Sequence, residues 1–188
     1  MIELINLCKS FDGNPVIRNF SAVFPGGAAC LMGESGIGKT TLAHIILGLV
    51  QSDSGEVRGT RGARKSCVFQ ENRLIEELSA LKNLTLVCGK EKADEALALL
   101  REMGLEDSAY HPVSTLSGGM KRRVAIARAL IRPADIYIFD EPFKELDDTR
   151  KDAVIGIIRR ITHNATSIFI THDADDAQAL DARIITMK

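Results

Sequence analysis

Up to Gln70 the chain is a series of short apolar runs broken by Gly and Pro: Leu4 to Leu7, Val16 to Phe24, Ala28 to Met32 and Cys67 to Phe69. Runs of that length between turn residues predict strands. One helix interrupts them. It opens at Lys39 and sets Leu42, Ile45, Ile46 and Leu49 on one face at the i, i+3, i+4, i+7 spacing. Between Gln70 and Leu130 the period is mostly helical. Ala93, Ala96, Leu97, Leu100 and Met103 form one stripe, and Gly104 follows as a helix C-terminal cap would. After Pro133 the two patterns alternate: run Ile136 to Phe139, helix with Val154, Ile157, Ile158 and Ile161, run Ile168 to Ile170, helix near Ala174 to Leu180, run Ile184 to Met187. Continuous apolar strands separated by helices predict an α/β fold with a mainly parallel sheet covered on both faces. The changes of texture place a core at 1–70 and 131–188 and a helical insertion at about 71–130, within a single domain of 1–188. There is no internal repeat and no low-complexity segment.

Composition narrows the function classes. Lysine plus arginine (24) nearly balance aspartate plus glutamate (25), so no strong positive field exists to hold a phosphate backbone, and nucleic acid is a poor partner. Cys8, Cys30, Cys67 and Cys88 lie more than twenty positions apart and form no CxxC pair. They read as reduced thiols of the interior. The first residues lack the basic start and long apolar stretch of a signal peptide, and no segment reaches the roughly 18 apolar residues of a membrane span. These features predict a cytosolic protein.

The segment Gly33-Glu34-Ser35-Gly36-Ile37-Gly38-Lys39-Thr40 fits G-x-x-x-x-G-K-[ST], and Thr41 follows it. It falls between an apolar run and an amphipathic helix, the context that pattern requires. Glycines let the backbone wrap around phosphates, the N–H groups and helix N-terminus attract their charge, Lys39 reaches the terminal phosphates, and the Thr40 hydroxyl is placed to ligate Mg2+. The strand Ile136 to Phe139 then ends in Asp140-Glu141. In P-loop enzymes an Asp there holds magnesium and a following Glu polarises the attacking water. ATP hydrolysis is the expected chemistry, although paired acids after a strand also suit a helix cap.

Leu116-Ser117-Gly118-Gly119-Met120-Lys121-Arg122-Arg123-Val124-Ala125-Ile126-Ala127-Arg128-Ala129-Leu130 resembles the signature motif of ATP-binding cassette (ABC) ATPases. Ser117 and two glycines make a small, backbone-exposed turn at a helix start, suited to another set of phosphates. Nothing in a mere helix cap would call for both glycines. The resemblance runs from about Ile2 to Met187 and implies a RecA-like P-loop NTPase core with an N-terminal antiparallel β region and a helical signature subdomain. Phe11 resembles the aromatic that stacks on adenine, where Tyr is commoner, and reads equally as an edge-strand aromatic. Gln70 resembles the Q-loop glutamine that contacts magnesium and the nucleophilic water. Asp147 resembles the D-loop aspartate that joins two sites, with Lys144-Glu145 before Leu146 where Ser-Ala is common, and it reads equally as a helix N-cap. His172 resembles the switch histidine that contacts the terminal phosphate.

In this family the signature turn of one subunit completes the phosphate site of another. The resemblance therefore implies a head-to-tail dimer with a second copy or a related ATPase subunit, and cooperative turnover. It also implies separate transmembrane permease subunits docked beside Gln70 to Leu78, an extracytoplasmic binding protein, and a place on the inner face of the cell membrane. Phe69-Gln70-Glu71-Asn72-Arg73-Leu74 and Leu81-Lys82-Asn83-Leu84 resemble import ATPases of the nitrate, sulfonate and taurine group. The end at Lys188, short of the C-terminal regulatory extension of some sugar importers, leads to the expectation that cargo-linked inhibition through such a domain is not used. The alternatives are a soluble ABC ATPase acting on DNA or ribosomes, another P-loop enzyme such as a small-molecule kinase, and a nucleotide-gated module that has lost hydrolysis.

Overall fold

The computed structural model describes Met1–Lys188, and its contacts divide the chain into two units. The first comprises Met1–Lys65, Ala134–Asp140 and Thr162–Lys188. It begins with strands β1 (Ile2–Phe11) and β2 (Asn14–Phe24), joined through Asp12 and Gly13 at φ +49° and +79°. Two consecutive positive φ values make the primed turn whose twist matches a hairpin, and an Asp-Gly pair adopts it at low cost. Strand β4 (Ser54–Arg58) pairs antiparallel with β1, giving a sheet ordered β2-β1-β4. This strand has no counterpart in the hydrophobic pattern: four of its five residues are exposed and only Val57 is half-buried.

The second sheet has the order β5-β6-β7-β3-β8, from β3 (Gly27–Met32), β5 (Lys65–Val68), β6 (Ile136–Asp140), β7 (Thr166–Ile170) and β8 (Arg183–Thr186). Strand β7 runs parallel to both β6 and β3, and β3 runs parallel to β8. Every residue of β6 and β7 is buried, the apolar runs Ile136 to Phe139 and Ile168 to Ile170 as their pattern requires and the polar Asp140, Thr166 and Ser167 with them. Phe139 and Phe169 are register partners whose rings stack at 4.7 Å and 7°, an arrangement that adds about 0.5–1.5 kcal/mol to the burial itself. The Tyr137 hydroxyl, otherwise a buried polar liability, accepts from the Ala134 N–H at 3.0 Å.

Helix α1 (Lys39–Leu47) buries Leu42, Ile45 and Ile46 as their spacing predicts. Leu49 departs from the prediction. Gly48 takes φ +80°, its N–H bonds Ile45 O at 3.0 Å, and the Leu49 N–H bonds His44 O at 2.9 Å. This pair of bonds is a Schellman stop, which ends the helix and leaves Leu49 60% exposed. Helix α6 (Ala174–Ala179) opens at an Asp173 cap that accepts from the Asp175 N–H at 2.9 Å.

The second unit comprises Ser66–Pro133 and Glu141–Ile161 and is mostly helical: α2 (Ala80–Cys88), α3 (Ala93–Glu102), α4 (Gly118–Leu130) and most of α5 (Asp148–Thr162). Helix α3 buries Ala96, Leu100 and Met103 of the predicted stripe, adds Leu99, and leaves Ala93 and Leu97 half-buried. It ends at Gly104 through bonds from Gly104 N to Arg101 O and from Leu105 N to Leu100 O, 2.9 Å each. In α5, Val154, Ile157 and Ile158 face inward as predicted, joined by Ile155. All four cysteines are free thiols; Cys30 and Cys88 are buried, whereas Cys8 and Cys67 are half-buried. No helix is long and apolar enough to cross a membrane.

Candidate nucleotide site

In the first unit β6, β7 and β3 lie side by side and parallel, so their carboxyl ends share one edge. That edge is where open α/β sheets bind ligands. It carries the loop Gly33 to Gly38 after β3, Asp140 at the end of β6, and Thr171-His172 after β7. The loop needs its glycines. Gly38, the N-cap of α1, sits at φ +105°, and a Cβ there would stand 2.9 Å from Val16 O; at Gly33 it would stand 2.6 Å from Met187 O. Gly36, at φ +80°, has open space around it. Helix α1 begins with no side-chain cap and no acid in its first turn, so its first N–H groups and positive dipole end are left for an anion.

The Lys39 ammonium folds back onto the loop and donates to Gly33 O and Glu34 O, both at 2.8 Å. Thr40 Oγ1 donates to Asp140 Oδ2 at 2.8 Å, and Asp140 is 2% exposed. These two hard oxygen ligands, brought together beside the phosphate loop, are the donor set that magnesium takes. Thr41 is half-buried one position further along α1. His172 is exposed on its turn, which is fixed on both sides: Thr171 Oγ1 donates to Asp176 Oδ2 at 2.6 Å and accepts from Asp173 N at 3.1 Å. A cavity of about 400 Å³ opens beside Gly36 and Ile37, with Val16 and Phe20 of β2 on its wall. Phe11 does not line it; its ring, 44% exposed at the end of β1, carries the Lys9 ammonium 5.1 Å from its centroid.

The second unit holds Gln70, Ser117 to Gly119, Glu141 and Asp147. Gln70 is exposed, just past β5. Ser117 caps α4, its Oγ accepting from Met120 N at 3.4 Å. Asp147 is an N-cap too: its Oδ1 accepts from Arg150 N at 3.0 Å, and its carbonyl takes the first helical bond of α5, from Lys151 N at 2.8 Å. Glu141 takes φ +48°, an uncommon left-handed setting for a side chain. The two signature glycines have a reason inside the chain. A Cβ on Gly119 would stand 2.7 Å from Glu145 O, and one on Gly118 would stand 2.4 Å from Glu145 Oε2. The backbone contact gives Gly119 a packing reason beyond the helix cap, whereas at Gly118 the clash is only with the movable end of the Glu145 side chain.

Arg122 lies within the basic run Lys121-Arg122-Arg123, and charge alone would place such a residue on a solvated face. It is in fact 2% exposed. Only burial, which helix periodicity in that run does not announce, separates it from Lys121.

A family model described as ABC transporter matches residues 19–144. The chain belongs to the ABC transporter family. The cassette is 38% identical over 192 residues to the aliphatic sulfonates import ATP-binding protein SsuB of Delftia acidovorans, covering 100% of this chain and 79% of that one. It is 36% identical over 212 residues to the lipoprotein-releasing system ATP-binding protein LolD of Porphyromonas gingivalis, covering 100% and 96%. Among solved structures, the dimeric bacterial ABC transporter cassette MJ0796 matches with a TM-score of 0.89 at 30% identity, over 100% of this chain and 94% of that one. A dimeric post-hydrolysis state of MJ0796 bound to ADP and Pi gives the same values. The cassette is thus an ATPase that binds ATP with Mg2+ and serves an ABC transporter. These relatives give no support to an ATPase acting on DNA or ribosomes.

Proposed function

We propose that the cassette powers import of a small organic anion of the sulfonate class. It does so as one half of a head-to-tail ATPase pair docked on separate transmembrane permease subunits at the inner face of the cell membrane, with an extracytoplasmic binding protein delivering cargo. The observation that carries this reading is the 38% identity to a sulfonate import ATP-binding protein across 100% of the chain. The LolD likeness supports a second reading, lipoprotein release, because it spans nearly the whole of that relative at 36% identity.

Each residue takes a role its chemistry suits. When ATP enters the loop between Gly33 and Thr41, Lys39 exchanges two carbonyls for the terminal phosphates, a stronger, charge-assisted partner. Thr40 and Asp140, already in contact, would hold Mg2+, which would supply neutralisation of phosphate charge. Glu141 takes the proton of the attacking water, Gln70 helps seat that water, and His172 donates to the terminal phosphate. Phe11, partly exposed with the Lys9 ammonium over its ring, is the aromatic that would stack on adenine. Ser117, Gly118 and Gly119 complete the partner's site, and Asp147, while capping α5, joins the two.

The test is copurification of tagged Glu141→Gln cassette from native membranes with ATP, followed by identification of what is bound. An import permease supports the first reading and a lipoprotein-release complex the second. Ribosomes or DNA-associated factors without a membrane protein would sink both. Light scattering on the same variant reads the pair: a monomer in saturating Mg-ATP excludes it.

A further inference from the structure

Outside the residues already given roles, one side chain reaches both segments that carry the water-handling groups. Arg122 lies buried in the second turn of α4 and spends all three of its nitrogens on the main chain around Gln70 and Glu141. Nη1 donates to Phe69 O at 2.6 Å, to Gln70 O at 3.2 Å and to Asn72 Oδ1 at 3.2 Å. Nη2 donates to Glu141 O at 2.7 Å, and Nε to Pro142 O at 3.1 Å. Five donors in a rigid planar fork can span carbonyls on two segments at once; an ammonium, a single point on a flexible stem, cannot.

We infer that Arg122 is a positioning residue for hydrolysis, fixing the Glu141 carboxylate by tying the Glu141-Pro142 main chain to the Gln70 loop. This rests on the reading of Glu141 as the base that takes the water's proton. Two further observations carry it. Glu141 sits at φ +48°, a setting that a residue with a side chain keeps only when its surroundings enforce it. The guanidinium grips the carbonyls of Glu141 and of the next residue, and so fixes the backbone from which the carboxylate projects. The other end of the tie is itself anchored: Arg128, six residues further along α4, donates to Arg73 O at 2.8 Å and to Asn72 O at 3.1 Å. The Gln70 loop is thus held to α4 at two points, and Arg122 extends that rigidity to Glu141. A base displaced by even an ångström loses much of its effect, because proton transfer depends steeply on geometry.

The experiment is a kinetic cycle on the full chain. Arg122→Ala is expected to lower kcat roughly tenfold to a hundredfold. KM for ATP should change by less than about threefold, since Lys39 and the loop that bind phosphate are untouched. With the base removed, in Glu141→Gln, adding Arg122→Ala should change the residual rate by less than about twofold. If the same fold loss appears in both backgrounds, or if the loss falls on KM, Arg122 is a packing residue only and the inference is overturned. Should Arg122→Ala fail to fold, Arg122→Lys runs the same cycle. It keeps the charge but cannot span the carbonyls, so wild-type turnover in that variant would also overturn the inference. Full turnover in Glu141→Gln alone would remove the base assignment, and the positioning role with it.

Discussion

The Thr40 hydroxyl donates to the Asp140 carboxylate across 2.8 Å, joining residues one hundred positions apart in the chain. Asp140 is almost wholly buried, so the bond serves the fold before any ligand arrives. Thr40→Val keeps the shape and removes the donor. It should cost about 1–3 kcal/mol in urea unfolding without nucleotide, the usual penalty for taking a partner from a buried polar group. The same variant should need about tenfold or more Mg2+ for half-maximal hydrolysis. Thr40→Ser should keep both properties near wild type. A Thr40→Val chain of unchanged stability would show that solvent replaces the hydroxyl.

Two glycines of the phosphate loop should respond differently to alanine. At Gly38 the new Cβ meets main chain, Val16 O at 2.9 Å, in a backbone set at φ +105°; at Gly36 it meets nothing within 4 Å, with φ +80°. Gly38→Ala must move β2 or the helix start and should lose about 1–3 kcal/mol together with nucleotide binding. Gly36→Ala should cost only the left-handed penalty of about 1–2 kcal/mol and stay folded. Urea unfolding and titration with a fluorescent ATP analogue separate the two. Equal losses would mean that conformation alone, and not the approach of Val16, fixes Gly38.

Much of this was legible in the residues because the features are local. A phosphate loop must be contiguous, so Gly33 to Thr40 announces itself, and so do the apolar runs Ile136 to Phe139 of β6 and Ile168 to Ile170 of β7, although the equally buried Asp140, Thr166 and Ser167 do not. What the chain alone hides depends on distant partners. Strand β4 is polar because it is an exposed edge, so no hydrophobic pattern marks it. Leu49 continues the helical period on paper, yet Gly48 ends the helix before it. The loop's Lys39 is unmistakable, but nothing in its neighbours reveals that its ammonium rests on Gly33 O and Glu34 O. Gly119 reads as a phosphate contact, and nothing near it in the sequence reveals that Glu145 O also crowds the place where a Cβ would sit.

Cys30 of β3 gives the fold a dependence on alkaline pH. Burial first, and the nearby charge of Asp176 second, push its thiol from the ordinary 9.0 up to about 12. Between those values the folded chain keeps a proton that the unfolded chain has released. Stability therefore falls as pH rises through that window, by up to about 1.4 kcal/mol per unit. Below 9.0 both states hold the proton and Cys30 contributes no slope. Cys30→Ala has no thiol to titrate. Its deficit against wild type in urea should therefore shrink between about pH 8 and pH 10.5. Parallel pH curves for the two proteins would show that the thiol ionises as freely folded as unfolded.

Gly119→Ala separates the two reasons for a glycine in the signature turn. If the residue mattered only for a partner's phosphate, the variant would fold normally and fail only with ATP. The added Cβ would instead stand 2.7 Å from Glu145 O, a main-chain atom, within the same chain. An atom of that kind cannot rotate away, and Glu145 is already at φ +73°. Gly119→Ala should therefore lose about 1–3 kcal/mol with no nucleotide present, as overpacked sites do. Glu145→Gly should not restore it, because the offending carbonyl remains. By contrast Gly118→Ala meets the end of the Glu145 side chain, which can swing aside, and Glu145→Gly should rescue it. Urea unfolding of the two alanine variants and their two doubles decides the matter. A Gly119→Ala chain as stable as wild type would return the glycine to the phosphate alone.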